Sequence, residues 1–136
     1  MTLRGRHSLV VYRSSERAEA TIRTLAAAAL ERNDRITIIA LAAQERVSRG
    51  CCDTRSVLWN RITRELAEEQ LAGARAALDD LAAAADFTVL THDDRRVADA
   101  LATEARLRQA DEIVLADPGS CGLSRRDRRR LDSVLV

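Results

Sequence analysis

Apolar residues in this chain occur in short continuous runs, which are separated by longer stretches with helical spacing. The segment DRITIIALAA, at residues 34–43, is too continuous for a strand with one wet face, and it predicts a strand covered on both faces. Runs of this kind predict four strands. They lie at residues 8–12, 34–43, 86–92 and 111–116.

The stretches between these runs repeat apolar residues every three or four positions, which predicts helices. Helices are expected at residues 16–33, 54–85 and 94–109, with a short arginine-rich helix near Leu123–Leu131. The long second helix is expected to turn one apolar face inward. That face comprises Leu58, Ile62, Leu66, Leu71, Ala74, Leu78 and Leu81.

The alternation of strands and helices with short links predicts a parallel sheet wrapped by right-handed crossovers. The final residues SVLV, at 133–136, predict a short fifth strand. No interdomain linker interrupts the pattern, so residues 1–136 are interpreted as a single domain. Aromatic residues make up only 2% of the chain, so we expect a core built from Ala, Leu, Val and Ile.

The charged residues exclude several chemistries. The net charge is +1, from 22 basic and 21 acidic residues, which provides no overall field to attract nucleic acid or an acidic membrane. Every basic residue is Arg, which excludes a lysine nucleophile, a Schiff base and the lysine of a Walker-type phosphate loop. No stretch approaches the ~20 apolar residues of a membrane span, and the first apolar run is too short for a signal peptide. We therefore expect a cytoplasmic protein with no membrane partner.

The three cysteines form neither a disulfide framework nor a spaced metal site, so no metal is expected. Cys51 and Cys52 are adjacent, and Arg46, Arg49 and Arg55 lie near them in the sequence. Positive charge nearby favours the reactive thiolate form of a cysteine. The pair is either a redox or modification site or an inert pair packed beneath the long helix.

Three other features receive a structural interpretation. His7 and His92 are both expected to be solvated, and no shared catalytic role is expected for them. Trp59 is the single tryptophan and is interpreted as a core or interface anchor. The segment RRDRRR, at 125–130, is interpreted as a solvated helix face rather than a nucleic-acid contact.

Three segments carry a resemblance to a known family. They are HSLVVYRSSERAEATIRTLAAAA at 7–29, ITIIALA at 36–42 and FTVLTHDDRRVADALATEARLRQADEIVLADPGSCGL at 87–123. Together they resemble the universal stress protein family from His7 to the end of the chain. The resemblance implies an α/β, Rossmann-like fold with a five-stranded parallel sheet, strand order 3-2-1-4-5, and helices on both faces. It also implies a homodimer paired through the last strand, and many members of the family bind ATP or AMP.

The first turn departs from the pattern of the nucleotide-binding members. The resemblance implies an Asp-Gly-Ser type of turn after the first strand. Here Arg13 stands in place of the Asp and Ser14 in place of the Gly, whereas Ser15 matches. Leu41, on the second strand, completes this part of the candidate nucleotide site.

The glycine loop departs as well. Nucleotide-binding members carry a loop of the form G-x-x-G-x9-G-S/T after the fourth strand. Counting from the end of that strand places Ala116 at the first glycine, Gly119 at the second, and Arg129 and Arg130 at the final pair. Three of these four positions lack the expected residue.

A second register of the loop fits the spacing. Gly119 and Gly122 then stand at the first two glycines, and Asp132–Ser133 stand at the final pair. A carboxylate at that position would repel a phosphate, so this register is ranked second. Neither register contains an intact loop. Arg13 and the arginines of the last helix nevertheless have the chemistry to rebuild an anion site.

Three functional hypotheses follow. The leading one is a universal-stress-protein-like stress-response or regulatory binding protein that is not an enzyme, requires no cofactor and does not bind ATP in the usual way. It acts by association, as a homodimer and with a regulatory partner that the sequence does not identify. The alternative is a protein that binds ATP or AMP through an arginine-rich rebuilt site. The third is a thiol-based redox sensor that uses Cys51 or Cys52.

Overall fold

The computed structural model describes residues 5–45, 54–93 and 95–134. Cys51 and Cys52 therefore lie outside the described residues. None of the helices within these ranges is long and apolar enough to cross a membrane. The elements are β1 (His7–Val11), α1 (Glu16–Arg32), β2 (Arg35–Gln44), α2 (Thr54–Leu78), a 3-10 helix (Asp79–Ala84), β3 (Ala85–Asp93), α3 (Val97–Leu107), β4 (Glu112–Leu115) and α4 (Arg125–Val134).

The four strands are parallel and form one sheet in the order β3-β2-β1-β4. At its centre, Val10 of β1 pairs with Ile38 of β2 and with Val114 of β4, and Ile38 pairs with Phe87 of β3. The predicted parallel α/β architecture and the order of the first four strands are confirmed.

The predicted five-stranded sheet is wrong for the described residues, because Ser133 and Val134 are the last residues of α4. This helix begins with a reciprocal cap, in which Asp127 N–H donates to the Ser124 hydroxyl and Ser124 N–H donates to the Asp127 carboxylate. Leu131 then packs into the core beneath the sheet. The capped and anchored helix continues over residues that the sequence assigned to a strand.

The helices lie on both sides of the sheet and enclose two separate apolar layers. α1 and α2 cover one face, where Ile22, Ile38 and Leu78 are fully buried. α3 and α4 cover the other face, where Leu9 and Leu101 are fully buried. Much of the helical contribution to both layers is alanine, whose small side chain allows close packing against the strands. This core matches the low aromatic content of the chain.

The predicted inward face of α2 is correct only in the second half of the helix, where Leu71, Ala74 and Leu78 are buried. In the first half the prediction is wrong. Large apolar side chains there are exposed to solvent by about half: Leu58 by 56%, Ile62 by 42% and Leu66 by 53%.

Polar side chains occupy the inward side of the first half of α2. Asn60 Oδ1 accepts a hydrogen bond from Glu45 N–H at 2.6 Å, and Thr63 Oγ1 donates to the Ala43 carbonyl at 2.9 Å. Ser56 Oγ also donates to a Glu45 carboxylate oxygen at 2.9 Å. Because these bonds attach the polar side of the helix to the end of β2, the apolar side faces outward.

Candidate functional site

A cleft of about 410 Å³ lies at the carboxyl edge of the sheet, between α2 and the loop that follows β4. Ligands of parallel α/β folds bind outside the carboxyl ends of the strands, and the volume suits a small molecule. The apolar lining consists of Ala40, Leu41, Ala43, Leu66, Ala67, Val97 and Cys121. The remaining lining residues are Tyr12, Arg13, Thr63, Gln70, His92, Gly122 and Asp127.

Tyr12 directly follows β1 and places a phenol at the base of the cleft. Its N–H donates to the Ile39 carbonyl at 2.9 Å, and its side chain is only 2% exposed. Burial raises the pKa of Tyr12, and the nearby Ser14 hydroxyl partly opposes this rise. The Ser14 hydroxyl nevertheless forms no hydrogen bond with Tyr12 Oη. This buried oxygen has no partner among the described residues. An unpaired buried hydroxyl is costly, and a ligand with a polar group could satisfy it.

Arg13 directly follows Tyr12, lines the same cleft and approaches the loop after β4. Its Nη1 atom is 3.6 Å from the point where a Cβ on Gly122 would lie. Gly122 has a φ of 81°, a conformation that side chains with a Cβ rarely adopt. The structure therefore brings Arg13, Leu41 and Gly122 together around one cleft.

The loop after β4 closes around the carboxylate of Asp117. Its Oδ2 atom accepts hydrogen bonds from Ser15 Oγ at 2.8 Å and from Ser120 Oγ at 3.3 Å, and its Oδ1 atom accepts from Gly119 N–H at 3.1 Å. Ser15 also caps α1, because its hydroxyl accepts from Ala18 N–H at 3.0 Å. The bond from Ser15 is the largest cause of the lowered pKa of Asp117, and the bond from Gly119 contributes. This carboxylate joins the first turn to the loop.

Five predicted site residues lie outside the lining of the cleft: Ser15, Ala116, Gly119, Arg129 and Arg130. Ser15 and Gly119 bond to Asp117 instead. Ala116 is buried, and its N–H donates to the Val11 carbonyl at 3.0 Å. Arg129 is exposed on α4, and Arg130 Nε donates to Asp99 Oδ1 of α3 at 2.9 Å. The two arginines assigned to the final pair of the loop are thus directed to solvent and to α3.

The two histidines lie at opposite edges of the sheet. His92 lines the cleft, whereas His7 is at the amino edge and is only 4% exposed, so the prediction that it is solvated is wrong. Its Nδ1–H donates to the Arg108 carbonyl at 3.1 Å, and its Nε2 accepts from the Thr37 hydroxyl at 2.8 Å. In residues 5–45, 54–93 and 95–134, no group of three or more His, Cys, Asp or Glu side chains could hold a metal ion.

Sequence reasoning missed two polar residues of this region. Asp117 begins the triplet Asp-Pro-Gly, a turn signal in which the Asp side chain accepts from the backbone two residues later, and this signal was available. Gln70 lies in the middle of α2, and its side-chain oxygen accepts from Ser14 N–H. Nothing in its local sequence predicts that contact.

No family model and no curated protein matches the sequence. Several solved structures do match it. A universal stress protein from Archaeoglobus fulgidus is 17% identical, with a TM-score of 0.58 over 96% of this chain and 92% of that one. A universal stress protein from the same organism in complex with dAMP is 16% identical, with a TM-score of 0.62 over 97% and 92%. A universal stress protein family member from Burkholderia pseudomallei is 18% identical, with a TM-score of 0.64 over 93% and 87%. The chain therefore has the universal stress protein fold, which confirms the resemblance at the level of the fold.

Proposed function

We propose that this chain is a stress-response or regulatory binding protein of the universal stress protein type, which acts by association and not by catalysis. We further propose that its cleft does not bind ATP in the usual way and that it requires no cofactor. The observation that carries the second proposal is the closure of the loop around Asp117, whose carboxylate accepts from both Ser15 and Gly119.

A phosphate group needs free N–H donors and a positive local field. In this loop the Gly119 N–H already donates to a carboxylate, and the Ser15 hydroxyl donates to the same group. The Asp117 carboxylate is charged at neutral pH, and the hydrogen bond from Ser15 lowers its pKa further by favouring the charged form, so it repels an incoming phosphate. The loop of this chain supplies its own anion in place of a nucleotide.

The absence of catalysis is supported by the placement of the candidate acid and base groups. His7 is bonded on both ring nitrogens within the amino edge, whereas His92 lies at the carboxyl edge. The two rings cannot act on one substrate. The chain also contains no lysine that could serve as a nucleophile.

A second candidate function is binding of AMP or ATP through an arginine-rich site. It is favoured by Arg13, which lies beside Gly122 at the cleft, and by the dAMP complex of the Archaeoglobus fulgidus protein. In this alternative the Arg13 guanidinium binds the phosphate in place of the loop backbone. Tyr12 Oη would then bind a polar group of the nucleotide.

Thermal melting with and without millimolar ATP, AMP and Mg²⁺ tests the proposal, because a ligand of the folded state raises the Tm. We expect no shift for the native chain. Asp117→Asn removes the charge and keeps the shape of the side chain, so AMP should raise its Tm. Asp132→Asn alters an exposed carboxylate on α4 and serves as the matched control, with no expected shift.

A shift in the Tm of the native chain that disappears in Arg13→Ala would contradict the proposal and support the arginine-rich site.

A separate experiment tests the thiol-sensor hypothesis for Cys51 and Cys52. If an oxidant changes the oligomeric state of the native chain but not of a variant with Ser at both positions, the thiol-sensor hypothesis is supported.

A further inference from the structure

One side of α2 carries an exposed apolar stripe. It is formed by Leu58, Trp59, Ile62 and Leu66, which are exposed by 56, 46, 42 and 53%. Leu66, at the end of the stripe, also belongs to the lining of the cleft. We call these four residues the outer stripe. They occupy two turns of one helix, whereas Leu107, another exposed large apolar residue, lies on α3. Contiguous exposed apolar side chains of this kind mark interaction surfaces.

The outer stripe cannot be buried by rotation of α2. The side of the same turns that faces the sheet carries Asn60 and Thr63, which bond to Glu45 and Ala43 at the end of β2. Rotation of the stripe toward the sheet would break these bonds and bury the polar groups without partners, which is costly. The stripe therefore stays exposed among residues 5–45, 54–93 and 95–134, and a second molecule could cover it.

The charges at the ends of the outer stripe indicate which partner it fits. Arg55 lies three residues before Leu58, and Glu69 lies three residues after Leu66, on the same side of the helix. The spacing is symmetric about Ile62: Leu58 and Leu66 each lie four residues from it, and Arg55 and Glu69 each lie seven residues from it. The charges at the two ends are opposite. A surface with this arrangement complements a copy of itself that runs in the antiparallel direction.

We propose that a second copy of this chain binds the outer stripe, with the two α2 helices antiparallel and related by a two-fold axis at Ile62. Leu58 then packs against the partner subunit's Leu66, and Arg55 faces the partner subunit's Glu69. A parallel arrangement would instead place Arg55 against its own copy, where like charges repel. The proposal names a surface other than the last strand for the expected homodimer, and of the residues it uses only Leu66 also lines the cleft.

Sedimentation velocity of the full chain at concentrations from about 1 to 500 µM tests this interface. We expect a monomer–dimer equilibrium that Ile62→Glu abolishes, because the axis places the two introduced carboxylates together. Leu107→Glu is the matched control, because it alters an even more exposed apolar residue on α3 and should leave the dimer intact. Far-UV circular dichroism of both variants checks that each still folds.

A charge exchange tests the predicted pairing directly. Arg55→Glu and Glu69→Arg should each raise the dimer Kd roughly tenfold, because each change places like charges at two symmetric contacts. The double variant should restore the native Kd. The two positions are 14 residues apart on one helix, roughly 21 Å, so the restored pair can form only between subunits.

Trp59 gives a second readout, since it is the single tryptophan and lies in the outer stripe. Its emission should shift to shorter wavelength as the dimer forms. The proposal is overturned if the native chain stays monomeric at all concentrations, or if a dimer persists in Ile62→Glu. It is also overturned if the double charge exchange fails to restore association, or if Trp59 emission is the same in monomer and dimer.

Discussion

A hollow lies at each edge of the sheet, one of about 540 Å³ at the amino edge and the cleft of about 410 Å³ at the carboxyl edge. The amino-edge hollow is the larger of the two, but its polar groups bond to one another. His7 N–H donates to Asp111 Oδ2 at 2.8 Å, and Arg6 N–H donates to Asp34 Oδ1 at 2.9 Å. The backbone also approaches closely here, because a Cβ on Gly5 would lie 2.2 Å from the nearest carbonyl oxygen.

The carboxyl edge has the opposite character. The buried Tyr12 Oη has no partner in the part of the chain that the structure describes. Arg13 lines the same cleft and is exposed there, beside Gly122. The comparison shows that the volume of a hollow does not identify a binding site. A buried polar group without a partner is a better criterion, and it selects the smaller hollow as the candidate site.

The largest predicted difference in stability between the two edges comes from substitution of their histidines, His7 at the amino edge and His92 at the carboxyl edge. We expect His7→Ala to destabilise the protein by about 3 kcal/mol, because it leaves a cavity and removes the partners of the Thr37 hydroxyl and the Arg108 carbonyl. His92→Ala, in the cleft, should change the free energy of unfolding by less than about 0.5 kcal/mol. Urea unfolding followed by circular dichroism measures both. If the two variants lower the free energy of unfolding equally, the claim that only the amino-edge histidine is structural is wrong.

A smaller effect is expected from a matched pair of hydroxyl deletions. Thr37→Val removes the hydroxyl that donates to His7 Nε2 and should cost about 1–2 kcal/mol. Tyr12→Phe removes a buried hydroxyl that has no partner, so it should be neutral or slightly stabilising. Urea midpoints of the two variants give the comparison. A loss of more than about 1 kcal/mol in Tyr12→Phe would mean that the phenol is bonded in the free protein.

Local pattern was enough to predict most of the fold. Continuous apolar runs located the four strands, because a strand covered on both faces needs apolar residues at consecutive positions. The same reasoning failed at Ser133 and Val134, the described part of the predicted fifth strand, since small and apolar residues fit the end of a helix as well as a short strand. It also failed for the orientation of α2. Periodicity identifies an apolar side, but the side that faces the sheet was decided by bonds from Asn60 and Thr63 to the end of β2.

The candidate site was less predictable because its contacts join distant parts of the chain. The resemblance selected Arg13, Leu41 and Gly122, and all three line the cleft. It did not select Asp117, whose role depends on a bond to Ser15 across 102 residues. The burial of His7 likewise depends on partners from two other elements. Such contacts follow from the assembled sheet and are not visible in any one segment.

The smallest predicted effect concerns the acid sensitivity of the carboxyl edge. The pKa of Asp117 lies below its usual value of 3.8 in the folded state, mainly because Ser15 donates to the carboxylate. Folding is therefore favoured by the charged form, and this contribution is present above about pH 5 and is lost as the pH falls through the folded pKa. Urea midpoints measured between pH 7 and pH 3 should fall less steeply in Asp117→Asn than in the native chain. Asp132→Asn, which alters an exposed carboxylate on α4, should keep the native slope. If Asp117→Asn also keeps that slope, the carboxylate does not hold the loop closed, and the argument that it excludes phosphate from the carboxyl edge fails with it.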